Sequence, residues 1–213
     1  MIYDHNCKAY RIKHERLNID RYNGAYYYSK EIVKNIIPNV KTDRSWVTIN
    51  CLGKCEDGAI VFIHNNLYPD IYRWLEDYKD LILVCGVPST CEKVKHLGRA
   101  IYLPLSVDVP YVAQFRTEKT RKRAYVGRSE KREGKEFPRD TEFLEAMPRR
   151  ELLSAIAQFE EVYAVGRCAI ESIILGCRVL PFDERFPDPG FWQVVDNREA
   201  ARMLQVELDR IDG

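Results

Sequence analysis

The stretch Glu161–Asp183 contains residues whose types and spacing suit the binding of an anion. Two glycines, Gly166 and Gly176, separate two apolar runs from a short segment with helical character. This order predicts a strand, a helix that begins after Gly166, and a second strand that follows Gly176. Because the N-terminus of such a helix offers backbone N–H groups and a partial positive charge, we expect a phosphate at residues 166–169.

A second group with the chemistry of phosphate binding lies earlier in the chain. Gly127 lets a ligand approach the backbone closely, and Arg128 with Lys131 or Lys135 could pair with a diphosphate. These residues belong to the basic stretch Arg116–Arg139, which has ten Lys or Arg and four Asp or Glu. Such an excess of positive charge could also grip a nucleic-acid backbone, or it could be only a solvated surface.

Short apolar runs alternate with helical stretches along most of the chain. The runs predict strands that are buried on both faces, because they are apolar without strict alternation. The predicted strands cover residues 46–51, 59–64, 81–85, 100–105, 124–126, 141–144, 162–165 and 178–182. Their alternation with helices predicts an α/β protein with mostly parallel sheets. Ligands in such sheets lie beyond the carboxyl ends of the strands, which here carry His64 and Asp108.

The segment between the fourth and fifth predicted strands marks a boundary between two lobes. Val109–Arg123 has no sustained apolar period and becomes basic. We therefore predict a first lobe over residues 1–112, a linker over 113–123 and a second lobe over 124–213.

Composition excludes several classes of protein. The chain has 213 residues, 46% of them hydrophobic, which is ample for a core. Lys and Arg number 33 against 32 Asp and Glu, so no net field drives the chain to nucleic acid or to a membrane. No long apolar run and no signal peptide are present, which predicts a cytoplasmic protein without a membrane span. The seven cysteines predict reduced thiols, and the Cys51 and Cys55 spacing lacks the second pair of a zinc site.

The order of these motifs resembles the GT-B glycosyltransferases, which are built from two facing Rossmann-like domains. YLPLSVD is similar to the end of their acceptor domain, and AYVGRSEKREGK is similar to the first strand of their donor domain. AIESIILGCRVLPFD resembles the donor-domain signature in which a glutamate binds the nucleotide ribose, and Glu171 matches that glutamate. IHNN resembles the acceptor-domain strand end whose histidine faces the donor sugar, and His64 matches that histidine.

The resemblance implies two small Rossmann-like lobes, the second abbreviated, with a nucleotide sugar in the cleft between them. Gly127 and Arg128, with Lys131 or Lys135, would contact the donor diphosphate. The sugar would pass to an acceptor without a metal or another cofactor, and the nucleotide sugar would be the substrate.

Sugar transfer sets two chemical demands. The leaving diphosphate must be stabilised, which backbone donors at Gly166 together with Arg128 and Arg167 would do. An inverting reaction also needs a general base, for which His64 is the first candidate and Asp108 the second. Retaining members of the superfamily carry an acid eight positions before the ribose glutamate, but that position here is Tyr163.

Two other functions fit the same sequence. One is a non-catalytic protein that binds a nucleotide or a nucleotide sugar. The other is a nucleic-acid-associated, DNA-modifying protein that uses the basic stretch Arg116–Arg139. For single residues the plainer interpretations are a structural histidine at 64 and an exposed helix glutamate at 171.

Overall fold

The computed structural model describes residues 2–3, 31–48, 55–63, 73, 75–127, 129–145 and 147–213. The chain divides into two compact units. The first contains the described residues up to Leu105 together with Asn197–Gly213, and the second contains Ser106–Asp196.

The described strands and helices have the following bounds. The strands are β1 (Ile2–Tyr3), β2 (Trp46–Thr48), β3 (Ile60–Ile63), β4 (Ile82–Cys85), β5 (Arg99–Tyr102), β6 (Ser106–Val107), β7 (Arg121–Val126), β8 (Thr141–Leu144), β9 (Phe159–Tyr163), β10 (Arg178–Leu180) and β11 (Val195–Asp196). The α-helices are α1 (Pro88–Val94), α2 (Val109–Ala113), α3 (Arg149–Ile156), α4 (Arg167–Ile174) and α5 (Asn197–Asp212). A π-helix (Ile32–Ile36) and 3-10 turns (Ile37–Asn39, Ser129–Lys131, Pro189–Phe191) complete the set.

The first unit is built on a parallel sheet in which β1 to β5 lie side by side in chain order. Strands β3 and β4 are buried along their whole length, as expected for strands covered on both faces. One apolar core contains side chains of both strands together with Val47 of β2, Val94 of α1 and Leu75, which precedes β4.

The last helix belongs to this first unit, whereas the predicted second lobe of residues 124–213 included it. Helix α5 contacts the π-helix, and its Leu204 and Leu208 are buried. A buried hydrogen bond of 2.6 Å joins Asn197 Nδ2 to Glu31 Oε2. The apolar stripe of α5 predicts that the helix packs against something, but it does not identify the partner.

The second unit contains a four-stranded parallel sheet with the spatial order β10, β9, β7, β8. The chain leaves β7 for β8 on one side and then crosses to β9 on the other side of β7. The direction of the connections therefore reverses between β7 and β9. A separate parallel pair, β6 with β11, aligns Ser106 with Val195 and Val107 with Asp196.

The two faces of this sheet are covered differently. Ala124, Val162 and Val179 share one face by register, and helices α3 and α4 contact these strands. The opposite face carries Tyr125 and Tyr163, which are partners in adjacent strands. Aromatic rings cover that face: Phe137 and Phe182 lie edge-on to Tyr125, with ring centroids 5.3 and 5.2 Å away.

The structure confirms an α/β fold with mostly parallel sheets. The apolar spacing of Leu152, Leu153, Ile156 and Phe159 would fit one face of a helix that begins after Pro148. Helix α3 ends at Ile156, and Phe159 begins β9 instead. The side chain is fully buried in the strand, and the apolar face of a helix would also bury it, so its apolar character alone does not distinguish helix from strand. None of the helices described is long and apolar enough to cross a membrane.

Candidate functional site

The carboxyl ends of β7 and β9 lie next to each other and are each followed by a glycine. Tyr125 of β7 is paired with Tyr163 of β9, two residues before Gly127 and three before Gly166. In open parallel sheets, the crevice outside two strands whose connections run in opposite directions is the usual ligand site. The sheet order therefore selects the edge between Gly127 and Gly166, independently of any motif.

Gly166 is the N-cap of α4 and has a backbone conformation that other residues rarely adopt. Its φ is 64° and its ψ is −136°. A Cβ atom would strain this backbone, so glycine is required for the chain to turn from β9 into α4. The positive end of the eight-residue helix α4 consequently faces the edge where β9 ends, which favours an anion there.

Gly127 has a different structural reason to be glycine. A Cβ atom at this position would lie 2.7 Å from the Tyr125 hydroxyl oxygen. The Tyr125 ring is fully buried among other aromatic rings and cannot easily withdraw. A side chain at 127 would thus collide with the packing on that face of the sheet.

Glu171 is completely buried and lies between two arginines. Its Oε1 accepts hydrogen bonds from Arg149 Nη2 at 3.0 Å and from Arg167 Nε at 2.9 Å. Its Oε2 makes no hydrogen bond to the part of the chain that the structure describes. The carboxylate joins α3 to α4 beside the predicted phosphate turn. Its predicted contact with a ribose stays a prediction.

Lys135 and Asp183 meet at the carboxyl end of β10. Lys135 Nζ donates a hydrogen bond of 2.6 Å to the Phe182 carbonyl oxygen and lies 5.4 Å from the centre of that ring. Asp183 accepts hydrogen bonds from Arg185, which hold the pKa of the carboxyl below its usual range despite its burial. Lys135 is therefore near this edge of the sheet, where a diphosphate contact was predicted.

The remaining predicted site residues divide into three groups. Asp108 caps α2, where its Oδ1 accepts from Tyr111 N at 2.9 Å. Lys131 closes the 3-10 turn after β7. His64 and Arg128 lie outside the described residues, so the predicted base and the predicted diphosphate arginine stay predictions.

Tyr163, at the position where a sugar-contacting acid was considered, takes part in the aromatic cover of the sheet. Its ring lies edge-on to Phe137 with the centroids 5.0 Å apart. The hydroxyl of a tyrosine does not supply the carboxylate chemistry of that position.

Sequence reasoning missed the ion pairs that organise this unit. Glu161 is buried and pairs with Arg123, with Nη2 to Oε2 at 2.6 Å, and with Arg178 on its other side. These three side chains share one sheet face because the strands align Arg123 and Arg178 with Glu161. The sequence signal for this arrangement was the spacing of Arg121 and Arg123, because residues two positions apart in a strand share one face of the sheet.

Comparisons with known proteins identify no family for this chain, so its function must be inferred from the site. No protein-family model matches the chain, and no curated protein is similar enough in sequence to be counted as a relative. Within the described ranges, no three His, Cys, Asp or Glu side chains are grouped so that they could hold a metal ion.

Proposed function

We propose that the second unit binds the diphosphate of a nucleotide sugar and that the protein transfers the sugar to an acceptor. The observation that carries the binding step is the reversal of connections between β7 and β9, with Gly127 and Gly166 at the two strand ends. This is the location at which Rossmann-like sheets hold nucleotides. The resemblance to GT-B glycosyltransferases supplies the choice of a nucleotide sugar.

The chemistry expected at this edge is stabilisation of a leaving diphosphate. Helix α4 begins beside it, so the partial positive charge of the helix would favour the anion. Lys135 adds an ammonium group at the end of β10, near Asp183. A charge that is fixed before the reaction stabilises the developing negative charge without reorganisation, and many enzymes owe most of their rate acceleration to such fixed charges.

A second candidate is a nucleotide-binding protein without transferase activity. The observation that favours it is the environment of Glu171, which was predicted to contact ribose, and of Tyr163, which occupies the position of a sugar-contacting acid. The Glu171 carboxylate is buried between two guanidinium groups, and Tyr163 packs against Phe137. Binding of the diphosphate requires neither residue.

The test is thermal stabilisation of the full chain by nucleoside diphosphates and their sugar conjugates, followed by chromatography for released nucleotide. Stabilisation with release supports the transferase, and stabilisation without release supports the binding protein. Arg128→Ala should weaken binding about tenfold, since it removes one charge-assisted contact to phosphate. Arg202→Ala, at an exposed position of α5, is the matched control. If no nucleotide stabilises the chain, both candidates are wrong.

A further inference from the structure

A cavity of about 580 Å³ lies in the second unit beside the edge strand β8. Its volume falls in the range of sites for small molecules. The residues that line it come from β8 and from the connection between β7 and β8: Ser129, Arg132, Glu133, Lys135, Phe137, Pro138, Arg139, Thr141 and Phe143. Two of its lining residues also reach the edge proposed for the diphosphate: Lys135 donates a hydrogen bond to the Phe182 carbonyl oxygen, and Phe137 packs against Tyr163 of β9. The residues contributed by β8, Thr141 and Phe143, lie on the other side of β7 from β9.

The cavity presents a half-exposed aromatic ring with a guanidinium stacked on it. Phe143 is 44% exposed, so part of its ring is accessible to a ligand. The Cζ atom of Arg132 lies 4.2 Å from the centre of this ring. An ion pair of 2.9 Å from Arg132 Nε to Glu145 holds the guanidinium in place. Such a fixed planar cation offers a surface on which another flat ring can stack.

The charge of the cavity differs from that of the rest of the basic stretch. Several cations of the stretch are used internally: Arg121 pairs with Glu142 and Arg123 pairs with Glu161. The residues that line the cavity include three cations and one acid, Glu133. Arg132 pairs with Glu145, and Lys135 donates a hydrogen bond to the Phe182 carbonyl oxygen. One of the three, Arg139, is exposed and forms no ion pair with any residue that the structure describes. The lining therefore attracts an anion.

Thr141 adds an unused hydrogen-bonding group. It is only 7% exposed and lines the cavity from the first position of β8. Its hydroxyl oxygen is buried and has no hydrogen-bond partner in the part of the chain that the structure describes. A buried hydroxyl without a hydrogen-bond partner destabilises the fold. Rotation of the threonine side chain toward the cavity would let this hydroxyl bond to a polar group of a ligand, which would recover that free energy.

We infer that this cavity binds a nucleobase that carries a phosphate, with the base stacked at Phe143 and Arg132 and the phosphate near Arg139. Aromatic and guanidinium surfaces beside a cation that can bind phosphate are the features by which proteins hold single nucleotides or unpaired strands. Two kinds of ligand carry both a base and a phosphate: a free mononucleotide and a single-stranded nucleic acid. The residues that carry this inference, Phe143, Arg132, Arg139 and Thr141, are not among those assigned to the proposed donor site.

Isothermal titration calorimetry of the full chain tests the inference with four probes: AMP, adenosine, inorganic phosphate and an eight-nucleotide single-stranded DNA. We expect AMP or the oligonucleotide to bind, and adenosine and phosphate to bind at least tenfold more weakly. Tighter binding of the oligonucleotide than of AMP identifies the nucleic acid as the source, and the reverse order identifies the free nucleotide.

Variants locate the binding site. Phe143→Leu keeps an apolar side chain and should weaken binding about tenfold, whereas Phe143→Tyr keeps the ring and should retain it. Arg139→Gln should weaken binding and reduce its dependence on salt, and Arg150→Gln, an exposed arginine of α3, is the matched control. The inference is overturned if neither AMP nor the oligonucleotide binds, if phosphate alone binds as tightly as AMP, or if binding is equal in Phe143→Leu and the parent chain.

Discussion

Arg149 of α3 donates a hydrogen bond of 3.0 Å to Glu171 of α4, and Glu171 is completely buried. The same oxygen accepts from Arg167, the first residue of α4. One internal carboxylate therefore fixes the N-terminal turn of α4 and ties it to the neighbouring helix. If an anion binds at this turn, the carboxylate beneath it holds the helix in position.

Removal of the Glu171 charge should destabilise the protein strongly. Glu171→Gln keeps the shape but removes the negative charge that lies between two nearly buried guanidinium groups, so the free energy of unfolding should fall by about 3 kcal/mol. Urea denaturation followed by circular dichroism measures the change. Glu199→Gln, which breaks the exposed pair with Arg202, should cost about 0.5 kcal/mol or less. Equal midpoints for the two variants would contradict the structural role of Glu171.

Lys119 should stabilise two helix ends at once. Its Nζ donates hydrogen bonds of 2.8 Å to the carbonyl oxygens of Ala157 and Leu175, which follow α3 and α4. Lys119→Met removes both, so we expect a loss of about 2 kcal/mol in unfolding free energy. Lys122→Met, at a side chain that is 66% exposed, is the control and should have little effect. A loss for Lys119→Met no larger than that of the control would refute this role.

Asp183 should make stability depend on acid pH. Hydrogen bonds from Arg185 lower the pKa of Asp183 in the folded protein, so the pair stabilises the fold above the unfolded pKa of about 3.9. This stabilisation is lost as the pH falls through the lower folded pKa. Between about pH 5 and pH 2 the parent chain should therefore lose more stability than Asp183→Asn. Arg185→Gln should flatten the profile similarly, and parallel profiles for all three proteins would exclude the pairing.

Cys91 should be alkylated faster than Cys85 or Cys177. The neighbouring thiol of Cys85 lowers the pKa of Cys91. Interaction with Cys91 together with burial raises the pKa of Cys85, and burial raises the pKa of Cys177. The thiolate is the reactive form, so iodoacetamide labelling followed by mass spectrometry should find Cys91 modified before Cys85 and Cys177. Cys85→Ala removes the neighbouring thiol and should slow the labelling of Cys91, whereas Cys85→Ser keeps a hydroxyl at that position and should not. Prior modification of Cys177 would contradict the assignment.

The strands were largely predictable because their apolar runs are continuous and bounded by turn residues. The run at 59–64 predicts a strand that the structure describes as Ile60–Ile63, and the run at 178–182 corresponds to Arg178–Leu180. The turn into α4 was predictable as well, because Gly166 and Gly176 bound a short apolar helix. Local composition determines these features, and tertiary contacts do not alter them.

The spatial order of the strands was not predictable from local patterns. Nothing near Arg121 indicates that β7 lies between β8 and β9, because strand neighbours are chosen by long-range packing. For the same reason the burial of Glu171 beneath Arg149 could not be read from an amphipathic helix pattern. The cavity at Phe143 likewise forms from residues that share a face only after β8 has paired with β7.

The central claim is that a diphosphate binds where β7 and β9 end. The most direct measurement is a ¹H–¹⁵N correlation spectrum of the labelled full chain during titration with a nucleoside diphosphate. We predict saturable shifts, with one dissociation constant, of the amide signals of Gly127 and Gly166, while the signals of Gly58 and Gly98 in the first unit stay in place. Unchanged Gly127 and Gly166 signals at a concentration that saturates any other site would contradict the claim.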